Sequence, residues 1–163
     1  MIGKKMQDAI NDQIQAEMYS SYLYLSMAAC FHAANMDGMA TWMHVQAKEE
    51  TGHAMKFFKH IVDRGGRVEL KQIDKPQTEW ASPLEAFQDA YKHEKYITGR
   101  INNLVKIAAE ESDNAAGILL QWFVTEQVEE EANTSKIADT LEKIGGSTNG
   151  LFMLDHQLGK RGE

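Results

Sequence analysis

Glu17, Glu50 and His53 recur as Glu94, Gln127 and Glu130, each 77 positions later (94 − 17, 127 − 50 and 130 − 53). Each set holds a lone carboxylate and then, 33 residues on (50 − 17 and 127 − 94), a pair spaced i, i+3. Residues three apart stand one above the other on a helix face, so each pair can aim at one point. One Glu from each of two helices and a Glu-x-x-His-like pair from each of two others is how a helical bundle builds a two-metal carboxylate site. Within such a set Glu50 could bridge two metals through its two oxygens while His53 binds one through a ring nitrogen. Mainly oxygen donors with one or two nitrogens suit iron or manganese, whereas structural zinc favours thiolates and histidines in a closed tetrahedron.

Four helices must position these donors, and the sequence supplies them. The only prolines, Pro76 and Pro83, lie mid-chain, so two long stretches are free of the strongest helix breaker. The first helix is expected from about Met6 to Ala34, with Ile10, Ile14, Glu17, Tyr24 and Ala28 on one face. Asn35-Met36-Asp37-Gly38 breaks it, with Asp37 as the expected cap of a second helix that runs to Arg64 and stops at Gly65-Gly66. The inward stripe of that helix reads Met43, Ala47, Glu50, Ala54, Phe57 and Ile61. Residues 65–82 have no helical period. Extended, they reach about 60 Å, more than the roughly 40 Å of a 27-residue helix, so the chain can cross back along the whole bundle.

Ser82-Pro83-Leu84-Glu85 combines a capping box with proline at the first helical position and starts a third helix, expected to about Glu111. Its inward face reads Phe87, Tyr91, Glu94, Ile97, Ile101 and Leu104. The short Ser112-Asp113-Asn114 turn makes the fourth helix return antiparallel to about Ile144, where Gly145-Gly146 ends it. A short fifth helix, about Ser147 to Leu158, is too apolar for a free tail and should be buried against the bundle or other subunits. The expectation is an all-α four-helix bundle with a long crossover between its second and third helices, in one domain spanning 1–163.

Bulk properties narrow the function. With 163 residues, 43% hydrophobic and 25% charged, the chain can bury a core without staples, and disorder is not expected. No run of about 18 apolar residues and no signal-peptide pattern occur, so neither a membrane nor export is expected and the expected address is the cytoplasm. The lone Cys30 cannot form an internal disulfide. A net charge of −7 argues against nucleic acid and agrees with attracting cations.

A single glutamate on an apolar helix face usually sits at the rim or pairs with a lysine. Here Glu17, Glu50, Glu94 and Glu130 all fall mid-helix and inward, with no basic residues on those faces. Bound cations are the remaining source of positive charge, since an unpaired buried carboxylate costs several kcal/mol. Without metal, these acids should have raised pKa values. The acidic run Glu126, Glu129, Glu130 and Glu131 reads either as a solvated face or, beside Glu49, as a further oxygen-only cation site. Tyr24 shares the face of Glu17 and could hydrogen-bond a ligand or donate an electron, or be a plain core tyrosine. Trp122 reads as packing, and His32, His44, His60, His93 and His156 lack a partner spacing and read as structural or exposed.

Four stretches give the pattern a family likeness: Glu17-Met18-Tyr19-Ser20-Ser21-Tyr22-Leu23-Tyr24, Glu49-Glu50-Thr51-Gly52-His53, Tyr91-Lys92-His93-Glu94, and the run from Gln121 to Glu131. In order and spacing they resemble the ferroxidase-centre motifs of the non-haem bacterial and archaeal ferritins, within the ferritin-like di-iron superfamily. The resemblance covers essentially the full chain. It implies one iron site at Glu17, Glu50 and His53, and a second at Glu50, Glu94 and Glu130 with Gln127 nearby. It also implies a third at Glu49, Glu126, Glu129 and Glu130, with Tyr24 beside the centre.

The implied activity is oxidation of Fe(II) to Fe(III) by O2 or H2O2, with the ferric oxyhydroxide stored inside a homo-oligomeric shell of 24 subunits. Haem is not expected, because bacterioferritins repeat Glu-x-x-His in the second half and place a methionine after the bridging glutamate, where this chain has Gln127-x-x-Glu130 and Thr51. The acids that line the threefold pore of animal ferritins have no counterpart at Gly117 and Leu120. The competing expectation is a di-iron peroxidase or oxygenase that retains its metals.

Overall fold

The computed structural model describes residues 1–162. Among them every regular element is helical: α1 (Lys4–Ala33), α2 (Asp37–Asp63), α3 (Pro83–Glu110), α4 (Asn114–Ile144) and α5 (Thr148–Leu158). The breaks between helices follow backbone chemistry. At the end of α2, Gly65 takes φ +69° while its N–H donates to Val62 O (3.0 Å) and that of Gly66 to Ile61 O (2.9 Å). This double bond pattern satisfies carbonyls that an α-helix leaves orphaned. The same closure ends α1 at Asn35 (φ 55°) and α3 at Ser112 (φ 53°).

One start matches the expected cap, and another is capped from its own turn. Ser82 Oγ accepts from Glu85 N (3.1 Å) with Pro83 in the first turn, and the Asp113 carboxylate accepts from Ala116 N (3.0 Å). The start of α2 does neither. Asp37 is its first helical residue and its carboxylate turns to His32, while the α2 amides of Gly38 (3.2 Å) and Met39 (2.8 Å) donate to Asp155 of α5. A cap supplied 117 residues away leaves no local sequence signal.

α1 pairs with α2 and α3 with α4, and α1 also packs on α3. The segment between α2 and α3 is strapped along α1 from end to end. Near the start of α1, Gln7 Oε1 accepts from Arg67 N (2.9 Å) and Asn11 Nδ2 donates to Arg67 O (3.1 Å). Further along, Gln15 Nε2 donates to Gln72 O (3.2 Å) and Ser26 Oγ to Gln77 O (2.6 Å). The expected long crossover is therefore present, and α3 enters the bundle parallel to α2.

The core splits into two apolar clusters. One holds Phe31, Met43, Phe87 and Leu141; the other holds Ile10, Phe57, Ile101 and Phe123. On each long helix the stretch between the two clusters carries the buried acid: Glu17 on α1, Glu50 on α2, Glu94 on α3 and Glu130 on α4. Four helices thus bring their polar turns to one level, sealed above and below by hydrocarbon. Tyr91 corrects the expected inward stripe of α3. It is only half-buried, with the Lys95 ammonium 4.5 Å from its ring centre, and Ala90 takes the core position.

α5 buries Leu154 and Leu158 against the bundle but exposes Phe152 and Met153. Gly38 permits this docking, because a Cβ there would stand 1.7 Å from the Asp155 carbonyl oxygen. Gly38→Ala is accordingly expected to lose α5 docking and about 1–3 kcal/mol of stability. A lower thermal midpoint and faster amide exchange across α5 would register it.

Candidate metal centre

Ligand-capable atoms of Glu17, Glu50 and His53 lie within 4.8 Å of one another, as do those of Glu50, Glu94 and Glu130. Glu50 belongs to both trios, so its carboxylate is common to two candidate cation positions. The four carboxyls are 1–3% exposed, and the amide and phenol groups that donate hydrogen bonds to them carry no charge. Gln13 Nε2 donates to Glu17 Oε1 (2.8 Å), and Gln46 Nε2 donates to both Glu50 Oε1 (3.0 Å) and Glu130 Oε2 (2.7 Å). The Tyr24 hydroxyl donates to Glu94 Oε1, and Gln127 Nε2 donates to Glu94 Oε2 (3.2 Å). His53 Nδ1 lies 3.2 Å from Glu50 Oε2, with the ring wedged edge-on against Trp122 and Phe123.

This environment disfavours negative charge. Burial first, and then the charge of Glu50, raise Glu17 from 4.5 to about 8. Burial likewise raises Glu94 to about 7 and, with help from the charge of Glu94, Glu130 to about 7. Glu50 is pushed well above its ordinary range by burial and by the charges of Glu94 and Glu130. Burial and neighbouring carboxylates also keep the Tyr24 phenol protonated. Among the described residues Glu17 Oε2 is buried without any hydrogen-bond partner. An orphaned carboxylate oxygen among four acids and one imidazole is a donor set that a pair of divalent cations would satisfy.

The residues expected from the sequence divide into three groups. Glu17, Glu50, His53, Glu94 and Glu130 converge. Tyr24 and Gln127 touch Glu94 as hydrogen-bond donors, which places them beside the trios. Of the four residues of the implied third site, two share one trio in this structure. Glu126 and Glu130 form a trio with His53, whose Nε2 is 3.8 Å from Glu126 Oε1, while Glu129 is exposed and belongs to no trio among the described residues. Glu49 is instead in an ion pair with Arg161 (2.5 Å), whose guanidinium lies over the Trp42 ring at 4.3 Å.

Sequence reasoning missed Gln13 and Gln46, the two amides that orient Glu17 and Glu50. Each precedes its acid by four residues on the same helix, so a Gln-x-x-x-Glu spacing on an inward face was the available signal.

Fold and site together define a helical bundle with a buried candidate centre for two cations. The family model for the ferritin-like domain matches residues 7–144. A bacterial non-heme ferritin from Bacteroides fragilis is 45% identical over 161 residues, covering 99% of this chain and 100% of the relative. One from Staphylococcus aureus is 36% identical, covering 99% and 97%. A solved structure described as a novel open pore ferritin from the hyperthermophilic archaeon Archaeoglobus fulgidus superposes with a TM-score of 0.98 at 48% identity, covering 99% of each chain. The chain belongs to the ferritin family.

Proposed function

We propose that this chain is an iron-storing ferritin subunit whose intra-bundle centre is a ferroxidase. Two Fe(II) ions bind as substrates, one at Glu17, Glu50 and His53 and the other at Glu50, Glu94 and Glu130. Each gives up one electron. With H2O2 as oxidant, two electrons and two protons yield two waters; with O2, the same two electrons and two protons yield H2O2. Glu50 holds the ions close enough to share one oxidant molecule, and its membership of both trios is the observation that carries the proposal.

The surrounding side chains have separate tasks. Gln13 and Gln46 fix the carboxylate rotamers of Glu17, Glu50 and Glu130, and Gln127 and Tyr24 do the same for Glu94. The phenol of Tyr24, in contact with Glu94, is placed to supply a proton or an electron at its oxygen. Carboxyls that are protonated without metal release protons as iron binds, which neutralises the charge brought in. Ferric product then passes out of the bundle by way of Glu126 and Glu130, the trio that shares His53 with the first position.

Storage requires a closed shell, proposed as 24 copies. Exposed Met55, Leu70 and Ile73 lie around one apolar groove, and Phe152 and Met153 add a second exposed patch on α5, as expected of a subunit that buries these surfaces in symmetric contacts. Among the described residues no helix is long and apolar enough to cross a membrane, and a cytoplasmic address is part of the proposal.

Stopped-flow absorbance after ferrous iron is mixed with aerated metal-free protein, followed by sizing of the loaded particle, tests it. Rapid oxidation and a large particle holding many irons per subunit are expected. A small oligomer that retains only about two irons per chain would replace storage with a metal-retaining oxidase.

A further inference from the structure

His32 and His44 lie outside the bundle centre, on the last turn of α1 and the second turn of α2, and both are exposed. Their spacing of twelve residues across a turn gave no signal in the sequence. In the fold their Nε2 atoms face each other at 3.2 Å, with ring centres 5.4 Å apart. The opposite nitrogen of His32, Nδ1, lies 2.9 Å from Asp37 Oδ1. An ionised carboxylate can only accept, so Nδ1 carries the hydrogen and, in the neutral ring, the His32 Nε2 lone pair points at His44. Among the described residues His44 Nδ1 has no hydrogen-bond partner. Its proton can therefore sit there, giving up the Nε2–H···Nε2 hydrogen bond between the rings, and a cation arriving between them then meets the His44 Nε2 lone pair as well.

Two imidazole nitrogens bound to one tetrahedral metal at about 2.0–2.1 Å stand roughly 3.3 Å apart. The observed separation matches that bite. Asp37 behind His32 supplies the carboxylate–histidine–metal arrangement that fixes a ligand's tautomer and raises its basicity. The location on the last turn of α1 adds the negative end of a helix dipole.

We propose that His32 and His44, oriented by Asp37, form a surface site for a late first-row divalent cation, Cu2+ or Zn2+. Two imidazoles select these ions over magnesium, calcium and manganese, which prefer oxygen. With two protein ligands and the other positions open to water, the site exchanges its metal. Its nitrogen donors set it apart in ion preference from the oxygen-rich centre inside the bundle.

The test titrates Cu2+ into the whole assembled, metal-free protein and into its His32→Ala, His44→Ala and Asp37→Asn variants, with binding followed by dialysis and the copper environment by EPR. All three positions are exposed, so the variants fold, and none belongs to the bundle centre, so Fe(II) oxidation rates should match the wild type. His32→Ala and His44→Ala should each bind one Cu2+ fewer per subunit and lose one spectral component carrying two equivalent nitrogens. Asp37→Asn should retain that component but need about 10- to 100-fold more copper to fill it. Identical stoichiometry and spectra in the wild type and both alanine variants would overturn the proposal and leave the pair as an imidazole–imidazole hydrogen bond. So would loss in only one of the two variants.

Discussion

Glu50→Ala is expected to slow Fe(II) oxidation by on the order of 100-fold or more, since loss of a mere outer-shell partner of a metal ligand already costs about 10- to 100-fold. Both candidate positions depend on this side chain, because it is the residue common to the two trios. Alanine would remove both oxygens proposed to bridge the ions and so separate them from a shared oxidant. His53→Ala touches only one of the two positions and should have a smaller effect. Neither variant should impair assembly. Both residues lie in the polar layer between the apolar clusters that hold the helices together. Initial rates by stopped flow and particle size by light scattering check this. Wild-type rates in both variants would remove Glu50 and His53 from the chemistry.

The second large effect is a stability that falls as pH rises in the metal-free protein. For Glu17, Glu94 and Glu130 the folded pKa, at about 8, 7 and 7, lies above the ordinary 4.5 of the unfolded chain. The unfolded state therefore loses these protons first, and the linkage relation gives the sign. Below about pH 4.5 both states are protonated and the acids cost nothing. Between pH 4.5 and about 8 the penalty grows, and above about 8 it is complete. Thermal midpoints of the metal-free protein should decline across that window, beyond any trend in a Glu17→Gln/Glu94→Gln variant, whose midpoint should be higher at pH 8 and equal at pH 4. Adding Fe(II) anaerobically at pH 7 should restore the loss and release protons. A flat profile, with no difference between variant and wild type at pH 8, would show that these carboxyls are solvated.

Most of the architecture was legible because helical signals are local. The expected ends at Ala34, Arg64, Glu111 and Ile144 fall within one residue of the observed ones, since Asn35, Gly65, Ser112 and Gly145 each leave the helical region at positive φ. The polar layer was legible too, because an acid in the middle of an apolar stripe stands out by periodicity alone. Other features depend on residues far apart in the chain. Asp155 takes over the capping of α2, which no window around Asp37 could reveal. Arg161 holds Glu49 by an ion pair across 112 positions, a contact that no local pattern around Glu49 announces. Gln13 and Gln46 were passed over for a different reason. Amides are neutral and unremarkable in composition, and only their contacts with Glu17 and Glu50 reveal their task. Tyr91 shows the limit of period counting, because one step along α3 puts a small Ala90 in the core and leaves the ring half-buried at its edge.

Anomalous diffraction at the iron edge, from crystals soaked anaerobically in ferrous iron, tests the two-ion centre most directly. Two peaks are predicted on either side of the Glu50 carboxylate, one contacting Glu17 and His53 and the other Glu94 and Glu130. An empty bundle interior, or iron bound only at surface carboxylates such as Glu129, would contradict it.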